Sequence, residues 1–233
     1  MSVLLLWGAA NLPLQAQILR PREDKWEASF FLGFASIGDR EFVTPVADGS
    51  APGQVGLSYA SGVQAGLRIG ENFGRYFTAE MEYSFANAPL TFRNLTPDLP
   101  TLGVDHSVHS ILYGVAISPM KRSARIRPYG AISAGAAYYQ VSAGSETQAL
   151  LQGVDLRDRW QFAASLGGGV KLRVGDRAGF RFDVRNQITA VPSYSLPSVA
   201  PVSEDGSIGA ALRPTGNLNN WQYNIGFFYV WGR

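Results

Sequence analysis

The sequence has no cysteine, so it can build neither a disulfide framework nor a thiolate metal site. It has only two histidines, His106 and His109, and their odd spacing would put them on opposite faces of a strand, against a shared metal. Charged residues make up 16% of the chain and the net charge is +2, too little to argue for nucleic acid. Long hydrophobic runs are missing as well. The longest, Val3 to Ala10, falls short of the about 20 residues a spanning helix takes, and a mean hydropathy near zero fits no helical membrane protein. No segment sustains a helical period.

Glycine (26 residues) and aromatics (12%) are plentiful in the 233 residues, a mixture suited to tightly turning strands in one closed β domain. The N-terminus reads as an export signal over residues 1–16, although no Lys or Arg precedes its apolar core. Leu14-Gln15-Ala16 offers a small residue before a cut at Gln17. Residues 17–24 follow as a periplasmic lead-in, and residues 25–233 as the β domain.

From Lys25 onward, apolar and polar residues alternate with period two. Over Tyr76 to Phe85, residues Phe77, Ala79, Met81, Tyr83 and Phe85 share one face, with Glu80 and Glu82 on the other. Leu57 to Ile69 sets Leu57, Tyr59, Val63, Leu67 and Ile69 against Gln64 and Arg68. Phe162 to Val174 sets Phe162, Leu166 and Val170 against Ser165, Lys171 and Arg173. Phe180 to Ile188 sets Phe180, Phe182, Val184 and Ile188 against Arg181, Asp183, Arg185 and Gln187. The last strand, Trp221 to Trp231, sets alternate aromatics against Gln222 and Asn224. Trp26 to Ile37, His106 to Ile117 and Ile126 to Val141 are less regular and complete a set of eight.

Connections alternate in length. Gly70 to Arg75, Ser118 to Ala124 and Gly175 to Ala178 are short. Asp39 to Gly56, Asn87 to Val104, Ser142 to Arg159 and Thr189 to Asn220 are long and polar, and the last carries Pro192, Pro197, Pro201 and Pro214, which no paired strand tolerates. Strands running up and down would gather the short turns at one end and the long loops at the other, the plan of outer-membrane barrels.

Alternation alone does not separate such a barrel from a soluble, lipocalin-like one. Side-chain volume does. Eight strands leave an interior just wide enough to be filled by side chains. A lumen receiving Phe77, Met81, Phe85, Phe162, Phe180, Phe182, Trp221, Phe227 and Trp231 would be overcrowded, whereas the same residues turned outward meet lipid freely. Aromatics also gather at the two ends: Trp26, Tyr76, Tyr129, Tyr229 and Trp231 at the short-turn end, and Tyr59, Tyr83, Tyr138, Tyr139, Trp160, Trp221 and Tyr223 at the other. Strands of roughly 9 to 13 residues match the length a tilted spanning strand needs. The expected fold is an all-β, eight-stranded, up-and-down antiparallel transmembrane β-barrel.

The C-terminal Asn224-Ile225-Gly226-Phe227-Phe228-Tyr229-Val230-Trp231 resembles the assembly signal of outer-membrane barrels, with Asn224, Gly226, Tyr229 and Trp231 at its marking positions, though Gly232-Arg233 follows the final aromatic. Arg127-Pro128-Tyr129-Gly130, with Gly135 and Tyr138, is similar to the fifth strand of the OmpA-like and opacity-type barrel family. The resemblance covers Lys25 to Arg233. It implies the fold, the outer membrane of a Gram-negative-type cell, periplasmic termini, and contact with outer-membrane lipid and lipopolysaccharide, periplasmic chaperones and the barrel-assembly machinery. It implies little about activity, since the family holds adhesins, tethers and lipid-modifying enzymes.

With the apolar faces outside, Arg68, Glu80, Glu82, Lys171, Arg173, Arg181, Asp183 and Arg185 point inward, three acids against five bases. They are expected to form a lumenal salt-bridge network, because unpaired buried charges are costly. One register across the turn at residues 175–178 sets Lys171 opposite Asp183 and Gly169 opposite Arg185. A plugged lumen and a structural or surface-recognition role follow, with a small-solute channel and a lipid-modifying enzyme as alternatives. For the enzyme, Asp105, Ser107 and His109 share a face. Their order is reversed relative to lipid A deacylases, however, and residues two apart on a strand lie about 7 Å from each other, too far for a hydrogen bond. Gly167-Gly168-Gly169-Val170-Lys171 lacks the spacing of a phosphate loop, Asn94-Leu95-Thr96 is a glycosylation-type triplet, and Glu80 with Glu82 cannot flank a substrate from one strand. No catalytic, metal or cofactor residue is assigned, and the loops name no external ligand.

Overall fold

The alternating strands close into a barrel that carries a second small sheet on one rim, in a computed structural model that describes residues 24–232. The export signal and all of the lead-in except Asp24 lie outside the described residues. In chain order the elements are β1 (Trp26–Ile37), β2 (Arg40–Thr44), β3 (Gly53–Tyr59), β4 (Gly62–Phe73), β5 (Phe77–Asn87), β6 (Leu90–Thr96), β7 (Leu99–Val104), β8 (His106–Ile117), β9 (Ile126–Val141), α1 (Ala143–Leu151), β10 (Arg159–Arg173), β11 (Ala178–Ala190) and β12 (Asn217–Trp231). The barrel comprises β1, β4, β5, β8, β9, β10, β11 and β12, each antiparallel to the next, and β1 closes it by pairing with both β4 and β12. Closure leaves the barrel without an edge strand, which hydrocarbon surroundings require of a backbone.

Orientation is decided by burial along single strands. Phe182 is 43% exposed while its neighbours Arg181 and Asp183 are 1% and 4% exposed. The same holds around the wall, where Phe30, Leu67, Met81, Ile111, Phe162 and Ile225 form an exposed apolar belt. Apolar-out and charged-in is the arrangement of a membrane barrel, the reverse of a soluble one. Both ends of the barrel chain, Trp26 and Trp231, are paired with each other on the short-turn rim.

The first two long connections are not the polar loops expected, whereas the fourth keeps no strand over residues 191–216. Strands β2, β3, β6 and β7 form a four-stranded sheet in the order β2-β3-β6-β7. One face of this cap buries Phe42, Leu57, Phe92 and Leu102, which join Leu156, Tyr194 and Leu212 from the other two connections. This cluster is continuous with Val108, Leu112, Tyr139 and Leu218 at the top of the lumen. Cap and barrel therefore share one apolar core.

Three further corrections follow. The strand expected over Leu57 to Ile69 breaks at Ala60–Ser61, so Leu57 and Tyr59 belong to the cap and only Gly62 onward spans the wall. Tyr59, expected at the interface, is buried instead. Tyr139 and Tyr129 also leave the girdles for the interior, because consecutive strand residues face opposite ways and it is Tyr138 that points outward. The remaining girdle residues stand where expected: Tyr76, Tyr229 and Trp231 at one end, and Tyr83, Trp160, Trp221 and Tyr223 at the other, are exposed.

Candidate functional site: a charged lumen beneath a folded cap

All the inward charges singled out from the sequence meet in the lower lumen except Arg173, which sits at the short-turn mouth with Asp24 at 3.2 Å. Arg68 is bidentate to Asp183 at 2.9 and 3.0 Å and also bonds Glu82. Arg181 is bidentate to Glu80 at 2.7 and 3.0 Å and donates Nε to the Tyr129 hydroxyl at 2.6 Å. Arg185 reaches Glu80 at 3.1 Å and Glu82 at 3.0 Å, and Lys171 reaches Glu27 at 2.5 Å. Forked guanidinium–carboxylate bonds are the strongest such contacts and the geometry a dry charged layer needs.

Glu27 is the acid the sequence reading missed. It lies on β1, whose small and apolar residues hide the alternation, and it brings the central cluster to four acids (Glu27, Glu80, Glu82, Asp183) and four bases (Arg68, Lys171, Arg181, Arg185). Arg127, on β9, is also buried, and its Nε has no hydrogen-bond partner among the described residues. Guanidinium carbons stand over two rings, Arg181 4.5 Å from the Tyr129 centroid and Arg68 4.1 Å from that of Phe31.

The β10–β11 register differs by two residues from the one expected. Lys171 is opposite Arg181, Gly169 opposite Asp183 and Gly167 opposite Arg185. The tight turn, in which the Val174 and Gly175 amides both donate to the Ala178 carbonyl, sets this offset. An even shift keeps each residue on its face, so the network survives. The Gly167-Gly168-Gly169 run now has its reason. A Cβ on Gly169 would stand 2.0 Å from the Phe182 carbonyl oxygen, and one on Gly167 would stand 2.3 Å from that of Val184, so both glycines let the β11 backbone approach closely beside Asp183 and Arg185.

Above the charged layer, Gln222 donates to Gln187 at 3.0 Å and Gln187 to Ser110 at 2.9 Å. Higher still, the Tyr194 hydroxyl is 3.0 Å from that of Tyr59 and 3.2 Å from His106 Nε2, while His106 Nδ1 bonds the Ala88 carbonyl. Burial pushes the Tyr59 and Tyr194 phenols up, so both stay neutral. The lumen thus passes from ion pairs through amides to an apolar, aromatic roof.

His106 and His109 do face opposite ways. His109 Nδ1 is 2.9 Å from the Tyr83 hydroxyl and Nε2 is 3.1 Å from Gln140 Oε1, which occupies both ring nitrogens with partners other than Ser107. At the C-terminus, Asn224 is lumenal and accepts from Gln64 at 3.0 Å, a Cβ on Gly226 would stand 2.8 Å from the Phe30 carbonyl oxygen, and Tyr229 stacks on Trp231 outside.

No family model matches the sequence, and no curated protein matches it. Solved structures do. Neisserial surface protein A aligns over 88% of this chain and 96% of its own at 10% identity, with a TM-score of 0.52. The outer-membrane protein AlkL in lipid bilayers aligns over 100% and 98% at 14% identity, TM-score 0.47. The attachment invasion locus protein Ail of Yersinia pestis, in complex with the heparin analogue sucrose octasulfate, aligns over 88% and 99% at 15% identity, TM-score 0.42. The likeness is one of fold, and the fold is that of an eight-stranded outer-membrane β-barrel.

Proposed function

We propose that the protein is a structural or surface-recognition barrel of a Gram-negative-type outer membrane, its termini and short turns in the periplasm, its cap outside and its lumen closed to solutes. The continuous core joining cap to lumen roof carries this reading. Flexible loops over an open channel would leave solute a path. A packed roof above paired charges leaves none, and it holds the cap as a rigid surface on a rigid scaffold, the usual setting for recognition.

The apolar belt meets outer-membrane lipid and lipopolysaccharide. The terminal aromatics Tyr229 and Trp231, outward and stacked, are the part of the assembly signal that the barrel-assembly machinery and chaperones would reach, and the folded yield of Trp231→Ala measures that role. Asn224 and Gly226 act in the wall itself. The reading is non-enzymatic, in keeping with His109 being engaged by Tyr83 and Gln140.

The chain has no native cysteine, so a single one reports unambiguously. Glu204→Cys, on an exposed cap turn, is expected to react with a membrane-impermeant maleimide on intact cells. Asp176→Cys, on a short turn, is expected to react only after the outer membrane is opened. The reverse pattern would overturn the orientation.

A further inference from the structure

Away from the lumen, the outer end of the cap contains a pocket of about 390 Å³ that no part of the reading above uses. Its volume lies within the about 300–1,000 Å³ typical of small-molecule sites. One wall is the β2–β3 end of the cap sheet, a second is the end of β6, and the third is the fourth long connection. We propose that this pocket binds a small, uncharged, largely apolar molecule carrying a hydroxyl or carbonyl, a proposal that rests on the cap facing outward.

The lining sets the ligand class. Val46, Val55, Leu95, Ile208 and Ala211 supply apolar surface, and the polar members Thr44, Gln54, Asn94 and Thr96 are hydroxyls and amides. Among the described residues, no ionisable side chain and no aromatic ring lines it. A charged ligand would lose its hydration there with no counter-charge in return. A sugar would find no ring face to stack on. Several charges close by in sequence are engaged elsewhere: Arg93 pairs with Asp39 at 3.6 Å, Asp48 accepts from the Ser50 amide at 2.8 Å, and Asp205 from the Ser207 amide at 2.9 Å. The amides of Gln54 and Asn94 and the hydroxyl of Thr96, none of them buried, supply the hydrogen-bonding groups that a ligand hydroxyl or carbonyl would meet.

The walls are also tied in place, so little ordering is left for binding to supply. Val46 bridges Ala200, the Ala47 amide donates to the Ala200 carbonyl at 3.0 Å, and the Ala200 amide donates to the Pro45 carbonyl at 2.9 Å. Gly209 donates to Pro201 at 2.8 Å, and a Cβ on Gly209 would press within 2.8 Å of the Pro201 ring. Val46, Ala200 and Ala211 make a small core of their own, separate from the main one.

The test uses the full barrel in lipid nanodiscs with labelled methyl groups, titrated with adamantanol, adamantane carboxylate and amantadine, which share one cage and differ in charge. Adamantanol is expected to shift the Val46, Val55, Leu95 and Ile208 methyls saturably, and the two charged members to bind at least tenfold more weakly. Gln54→Trp, at the exposed rim, fills the mouth without touching the core and should abolish the shifts while the remaining spectrum stays unchanged. Absent shifts, equal binding of all three cages, or a Gln54→Trp barrel that binds as before would each overturn the proposal. If Glu204→Cys labels on intact cells while adamantanol gives no shift, the pocket assignment fails alone. If Glu204→Cys does not label, the outward cap fails and the proposal with it.

Discussion

Glu80 is the residue on which the lumen depends most. It holds both terminal guanidinium nitrogens of Arg181, one of Arg185, and lies 3.7 Å from Lys171. Replacing it by glutamine keeps the shape but strands several buried cations, and removing one partner of a buried pair costs about 3–5 kcal/mol. Glu80→Gln should lower barrel stability by that order in urea unfolding from lipid, and adding Arg181→Met should recover part of the loss. An unchanged midpoint for the single variant would mean that the ion pairs are not coupled. The eight charges proposed from sequence were legible because each sits on a strand whose other face is cleanly apolar. Glu27 was not, because its strand carries Gly33, Ala28 and Ala35 among its alternating positions and Phe31 points inward with it.

At the scale of the element, the four-stranded cap is where reading and structure part. Its signals were present: Val55, Leu57 and Tyr59 alternate, as do Leu90 with Phe92 and Leu102 with Val104. Each run is only five to seven residues long, too short to span a membrane, and it was absorbed into a loop or into the neighbouring wall strand. Pairing between connections that are distant in the chain, β3 with β6, turns those runs into a sheet. Leu57→Ala, which opens a hole in the shared core, should cost about 2–5 kcal/mol locally. Trypsin cleavage at the cap residues Arg40 and Arg93 should then quicken at least roughly tenfold while the barrel strands stay protected, since proteolysis tracks the opened population. Equal cleavage rates would show that the cap is not held by this core.

For the whole molecule, the layered interior leads to one expectation: purified protein in planar bilayers should show no stable, large conductance step. Steady conductance in the wild-type barrel would mean that the roof opens and that the structure describes only its closed form. The sequence alone was enough to decide the number of wall strands, their faces, the up-and-down order and most of the inward charge, Glu27 and Arg127 apart. All of these are local, since a period of two residues and the volume of an aromatic side chain need no partner to be read. Only the tertiary structure decided the β10–β11 register, the placing of Tyr59, Tyr129 and Tyr139, the folded cap and its outer pocket. Those depend on contacts between segments far apart in the chain, where the geometry of one turn or the pairing of two loops selects among arrangements that local alternation permits equally.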